Sequence, residues 1–408
     1  MTILAKGTGD PQQLEDGGWD ILAEQVSLPV AVIKQDAISH NANWMANFAK
    51  ESQVLLAPHG KTTMSPALFK LQLEHGAWAV TVATVPQVSV AIVAGAKRVF
   101  LANQLVGEYH MKQVASMLID TDVELYCFVD SIANAHALGT FFTRQSLRIS
   151  ILLEVGVEGG RAGWRNLATL VQLVNVCQQY ASLEVAGIGF YEGVIHGDNA
   201  EQRIATFVRS VIKTAADLLQ KDTFSKTLPI ITGAGSAWYD VVTKELNKSE
   251  QAQQFRFVIR PGCYLIHDTG IYQDAQQAVL SRSNLACDLG ESLVSSLSIW
   301  AYVLSTPEPG VAIVGMGKRD VAFDAGMPTP ELIYSPTSKQ LCSLGSAVKV
   351  ETIMDQHAMV SIASGCEVQV GDMICFSTSH PCLTFDKWRQ IGVVEQDWVI
   401  TQTISTYF

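Results

Sequence analysis

From about residue 29 to residue 260, short apolar runs alternate with longer stretches whose apolar residues return every three or four positions. The short runs read as strands, and the longer ones as amphipathic helices that turn one face to a core. The runs predict strands over 29–33, 54–57, 79–82, 98–101, 123–129, 149–155, 184–190 and 228–231, with helices such as 36–50 and 201–220 between them. An open doubly wound sheet shares this alternation, but eight βα units in about 230 residues favour closure into a (β/α)8 barrel.

After residue 285 the texture changes. SLSIWAYVLS, GVAIVGMG, AMVSIAS, DMICFST and IGVVEQDWVITQTIS are short apolar runs parted by Gly, Pro, Ser and Asp, the pattern of a mostly antiparallel β domain. The predicted fold is α/β: a TIM-like barrel over 29–285 and a C-terminal β domain over 286–408, with residues 1–28 expected to pack on the β domain.

Composition narrows the function classes. A chain of 408 residues, 48% of them apolar, can bury a large core. Its net charge of −11 argues against a nucleic-acid surface, which needs clustered Lys and Arg. MTILAKGTGDPQQLEDGG carries no basic start followed by an apolar run, and no stretch of about twenty apolar residues suggests a membrane span. The expected location is the cytoplasm. Cys127, Cys177, Cys263, Cys287, Cys342, Cys366, Cys375 and Cys382 are scattered without CxxC pairs, so most read as reduced core residues.

Candidate chemistry gathers in a few segments. In VLLAPHGKTTMSP an apolar strand ends at Pro58, and His59, Gly60 and Lys61 follow at the edge where barrel enzymes place catalytic groups. A lysine drawn partly out of water favours its neutral amine, which attacks an aldehyde. A solvated lysine after a strand is the plainer alternative. TGAGS, residues 232–236, lies where a strand gives way to a helix, and its small residues let backbone amides approach a phosphate. No GxxxxGK[ST] motif occurs. In SHPCLTFDKWR, His380 and Cys382 are two apart. On an extended strand both would face one side and could share a metal ion, although such pairs also arise by chance.

PHGKT after the second strand resembles the cofactor-lysine motif of the D-threonine aldolase and eukaryotic-type D-serine dehydratase family. These are fold-type III pyridoxal phosphate enzymes, a group that includes alanine racemase. LLEVGVEGGRAG, GFYEG, TGAGS, RPGCY and SHPC align with that family in the same order. The resemblance implies that Lys61 bonds pyridoxal 5'-phosphate, Arg161 reaches its phenolic oxygen and Tyr191 lies near the ring. Gly233, Gly235, Ser236, Gly262 and Tyr264 would bind the phosphate. It also implies a zinc site at His380 and Cys382, because His-x-Cys is the dehydratase pattern and aldolases tend to have His-x-Asp. His357, the nearest further ligand type in sequence, is expected to be structural or to lie behind the ligands. Ala57 stands where closer relatives usually carry Arg, which leaves the role of that Arg open.

The implied activity is dehydration of a β-hydroxy-D-amino acid to keto acid and ammonia by a homodimer, with Lys61 taking the α-proton and zinc assisting departure of the hydroxyl. An aldolase would share the cofactor and use His59 on the β-hydroxyl, giving glycine and aldehyde. A racemase needs a second acid/base group that the sequence does not reveal. Non-enzymatic pyridoxal phosphate carriers related to this barrel lack the β domain. A barrel metal hydrolase would gather His and Asp at several strand ends, a pattern this chain does not show.

Overall fold

Strands Leu55–Leu56, Val80–Val82, Arg98–Gln104, Glu124–Val129, Ile149–Val155, Leu183–Phe190, Ile230–Gly233 and Arg256–Ile259 form one parallel sheet in the computed structural model, which describes residues 5–395 and 397–408. The last strand lies beside the first, with Val258 opposite Leu55. The first and second are joined where Trp78 N donates to Leu56 O at 2.7 Å and where His59 bridges Thr81. The ring therefore closes. Successive strand residues point to opposite faces. One set, including Ala57, Phe100, Tyr126, Phe128, Leu152, Ala186 and Val258, fills the barrel interior. The other set packs under amphipathic helices such as Gln35–Glu51 and Ala200–Leu219.

The run expected to open the barrel belongs elsewhere. Val30–Lys34 pairs antiparallel with Leu297–Glu308 and parallel with Gln390–Val394, inside the second sheet. The eighth barrel strand is instead Arg256–Ile259. Periodicity cannot separate these cases. VAVI is buried on both faces, as a strand in either sheet would be, while Arg256 and Arg260 bracket an apolar FVI too short to stand out.

The second sheet has eleven strands among the described residues and is mostly antiparallel. It contains every run singled out after residue 285, together with Thr329–Ser335, Gln340–Ser343 and Val348–Ile353, which sequence reading passed over. Trp19 and Asp20 of the N-terminal segment add an edge strand to it, pairing with Ile400 and Val399. Residues 1–4 of that segment lie outside the described residues. Val30–Lys34 runs directly into helix Gln35–Glu51, so the chain passes from the second sheet to the barrel wall without a linker. The two bodies also meet at the C-terminal end of the barrel, where Thr269 N donates to Thr378 O at 3.1 Å and Tyr407 N to Met64 O at 2.9 Å. No helix among the described residues is long and apolar enough to cross a membrane.

All eight cysteines are free. Cys287 and Cys342 are exposed and not core residues.

Candidate active site

A cavity opens at the C-terminal ends of the barrel strands, where barrel enzymes place their sites. His59, Lys61, Thr62, Arg161, Tyr191, Gly235, Ser236, Arg260, Gly262, Cys263 and Tyr272 line it. All but Tyr272, which stands in the first turn of helix Ile271–Arg282, lie in turns that follow barrel strands, which is how segments far apart in sequence converge.

Lys61 sits in the one-turn helix Gly60–Thr62 and is exposed at the cavity mouth. The partial removal from water expected of it is not supplied by the protein alone. Gly60 packs where a Cβ would stand 2.4 Å from the Phe69 ring, and this close approach fixes the turn that presents Lys61. His59 is half-buried. Burial first, then the charges of Lys61, Arg260 and Arg161, hold its imidazole well below the usual range, so it is neutral at neutral pH.

Arg161 projects from the turn after Ile149–Val155 and lies 4.8 Å above the Tyr191 ring. Burial raises the Tyr191 hydroxyl, with the Glu192 carboxyl adding to it. The sequence brings Arg161 and Tyr191 together here as the motif order implied. Gly233 and Tyr264 are not among the lining residues. Gly233 ends its strand against the Phe190 ring, and Tyr264 is buried in the core with its hydroxyl accepting from Gln72 Nε2 at 3.1 Å. Neither side of that expectation reaches the cavity, because a strand glycine and an inward tyrosine serve packing.

The two glycine segments lie side by side. Ser236 Oγ accepts from the amides of Gly262 at 3.1 Å and Cys263 at 3.2 Å. The amides of Ala234 and Gly235 donate at 3.0 and 2.6 Å to the Glu192 carboxylate, which is fully buried. Burial raises the Glu192 carboxyl while these amides and Arg260 pull it down. Two of the amides expected for a phosphate are therefore held by a side chain, and a phosphate that takes the amides of Gly262 and Cys263 replaces the Ser236 hydroxyl.

Arg260 is the main residue that sequence reading missed, although it heads the quoted RPGCY. It is 7% exposed, donates to the Phe190 carbonyl and lies 5.0 Å over the Phe128 ring. Burial lowers its guanidinium to about 10, with Glu154 and Glu192 acting against that fall, so it stays charged. Glu154, from the strand preceding Arg161, is buried and accepts a hydrogen bond from Gln104. Glu192 and Thr62 were also inside quoted motifs without being singled out, whereas Gln104 and Tyr272 carried no motif signal.

The expected metal pair comes from the second body. His380 and Cys382 are not on an extended strand: Pro381 is in helical conformation and Cys382 begins the short helix Cys382–Phe385. The face-sharing argument for the pair is thus incorrect, since a proline fixed near φ −66° starts a turn there. Neither lines the cavity, but both stand beside residues that do: Cys382 touches Thr62, and the His380 ring lies 6.2 Å from the Tyr272 ring. His380 Nδ1 is 2.8 Å from Asp324 Oδ2, leaving Nε2 outside that contact. Cys382 Sγ donates to Thr62 Oγ1 at 3.4 Å, one residue from Lys61, and lies 3.5 Å from Cys263 Sγ. Burial opposes ionisation of Cys263, but hydrogen bonds with Cys382, Tyr272 and Thr62 hold its thiol below the usual range. Cys382, facing it, is pushed up. His357 is exposed in the turn between Val348–Ile353 and Ala358–Ile362 and lines no part of the cavity.

Residues 33–265 match the family model described as alanine racemase, N-terminal domain, and residues 296–394 match the one described as putative serine dehydratase domain. The chain belongs to the alanine racemase N-terminal domain family, the fold-type III pyridoxal phosphate group. It is similar to D-threonine aldolase of Arthrobacter sp, with 22% identity over 98% of this chain and 97% of that protein. The crystal structure of D-threonine aldolase from Filomicrobium marinum superposes with a TM-score of 0.78 at 21% identity, covering 96% of this chain and 97% of that one. D-threo-3-hydroxyaspartate dehydratase from Delftia sp. HT23 gives 0.73 at 18% identity, covering 95% and 99%.

The cavity of this family member fits the cofactor that the family implies. His59 Nδ1 and Arg260 Nε, on two lining residues, are buried without a hydrogen-bond partner, a state that a polar ligand relieves. At Gly262 an added Cβ would stand 2.5 Å from His59 O and 3.1 Å from Thr62 Oγ1. Gly262→Ala should push aside the turn that carries Lys61 and weaken pyridoxal phosphate binding by about 10–100-fold, as overpacking of 1–3 kcal/mol does. Fluorescence titration of the apoprotein checks this, and unchanged affinity would remove Gly262 from the cradle.

Proposed function

We propose that the chain is a pyridoxal phosphate-dependent dehydratase of β-hydroxy-D-amino acids that releases a keto acid and ammonia. The observation that supports the reading most is the contact of Cys382 Sγ with Thr62 Oγ1, the cavity-lining neighbour of Lys61, with the His380 ring 6.2 Å from that of Tyr272, which lines the same cavity. The relatives' names support the substrate class, since both the D-threonine aldolase and the D-threo-3-hydroxyaspartate dehydratase act on β-hydroxy-D-amino acids by name.

The cofactor, bound at Lys61, supplies a sink for the electron pair left at the α-carbon, and a divalent ion on His380 and Cys382 supplies a Lewis acid for the departing hydroxyl. The chain's own residues do the rest. Lys61 at the cavity mouth takes the α-proton on Nζ. Arg161, stacked on Tyr191, and the buried Arg260 make the cavity cationic, which favours an anionic cofactor and an amino acid carboxylate. The donors suit the ion: a thiol and an imidazole are zinc ligands, and Asp324 orients the imidazole. The same reading expects a homodimer.

An aldolase is the second reading, favoured by His59. A neutral imidazole with an unpartnered nitrogen in the cavity can accept a proton from a β-hydroxyl. Product analysis on D-threonine, D-serine and D-threo-3-hydroxyaspartate separates the two. Keto acid and ammonia in equal amounts are expected, and glycine with an aldehyde would replace the dehydratase by the aldolase.

A further inference from the structure

Cys263 has no part in the reading above, yet its sulfur lies against one of the proposed metal donors. It sits in the one-turn helix Cys263–Leu265 that follows the last barrel strand, while Cys382 opens a helix of the second body. The two are 119 residues apart in sequence and their sulfurs are 3.5 Å apart. Both contact the same hydroxyl, with Thr62 Oγ1 at 3.6 Å from the Cys263 sulfur and 3.4 Å from the Cys382 sulfur.

That spacing has a simple geometric meaning. Two sulfurs, each about 2.3 Å from one zinc ion at the tetrahedral angle, lie about 3.8 Å apart. The observed pair is within a few tenths of an ångström of that value. It is far longer than a disulfide at about 2.0 Å, and both cysteines are free.

From this geometry we propose that Cys263 is a third protein ligand, completing a Cys2His site with Cys382 and His380 that leaves one position for a substrate oxygen. The proposal rests on the reading that a divalent ion binds at His380 and Cys382. Among the described residues no three ligand-type side chains already surround a common point, so the ion draws His380 toward the sulfur pair. Asp324 holds its Nδ1, so Nε2 is the nitrogen that would bind the ion. Cys2His with an open position is a set that zinc enzymes use for binding a reacting oxygen. The third ligand also explains how the ion stays bound when water and substrate exchange. It ties the barrel's last turn to the second body beside Lys61, so metal loss loosens the cavity mouth and not merely the ion.

The test uses the full-length holoprotein under reducing conditions, loaded with Zn2+ or with Co2+ as the spectroscopic probe. X-ray absorption at the zinc edge of the wild-type protein should count two sulfurs at about 2.3 Å, a readout that needs no variant. Cys263→Ser should halve the sulfur-to-cobalt absorption per bound ion and weaken zinc by at least about 10-fold in competition with a chelator, while the visible cofactor band persists as evidence of folding. One sulfur per zinc, with Cys263→Ser indistinguishable from wild type, would overturn the proposal and leave His380 and Cys382 as ligands. A wild-type protein that binds neither ion would instead overturn the metal reading on which it rests. A Cys263–Cys382 disulfide found by mass spectrometry in the metal-loaded protein would equally overturn it.

Discussion

If the proposed reading holds, Lys61→Ala is expected to abolish the visible cofactor band and to lower keto acid formation by about a thousandfold or more, because one amine would both hold the cofactor and move the α-proton. The fold should survive. Lys61 is exposed at the cavity mouth, and the turn that presents it is fixed by Gly60 against Phe69. Thermal unfolding of variant and wild-type apoproteins should therefore coincide within the few tenths of a kcal/mol usual for surface changes. A variant that keeps both the band and the turnover would place the chemistry on another residue.

His380→Ala has the second largest expected effect. With the imidazole gone, the proposed ion would lose a ligand and Asp324 its partner, and elimination should fall by about 100-fold or more. Pyridoxal phosphate should remain bound, because the lining that faces it comes from the barrel turns and not from His380. Chelation of the wild-type protein should give the same split, with the visible band intact and activity lost until zinc is restored. Equal activity in metal-stripped and zinc-loaded protein would remove the ion from the reaction and move the His59 reading to the front.

Much of this was legible in the chain before folding was considered. The βα rhythm gave the barrel because amphipathic helices repeat at 3.6 residues and leave a clear signature. It misplaced Val30–Lys34, since a strand buried on both faces looks the same in any sheet. Lys61, Arg161, Tyr191, Gly235, Ser236 and Gly262 were found as motif residues and line one cavity. Gly233 and Tyr264 belonged to the right segments but face the core, and only side-chain direction could tell them apart. The residues missed share one property. Arg260, Glu192 and Cys263 act through partners distant in sequence, namely Phe190, the Ala234 and Gly235 amides, and Cys382. No local spacing encodes such pairs. The His380 and Cys382 pair shows the converse: the residues were picked out on a strand that does not exist, and a proline turn carries them beside the cavity lining instead.

The electrostatics of the cavity set a boundary on any rival account. Two arginines, a lysine and a neutral imidazole face one space, with Glu154 and Glu192 buried behind them. Such a site favours an anion carrying several oxygens over a neutral or cationic ligand.

The most direct measurement is borohydride reduction of the protein incubated with pyridoxal 5'-phosphate, followed by peptide mass spectrometry. A single pyridoxyl adduct on Lys61 is the predicted result. An adduct on any other lysine, or none at all, would contradict the assignment of this cavity as the cofactor site.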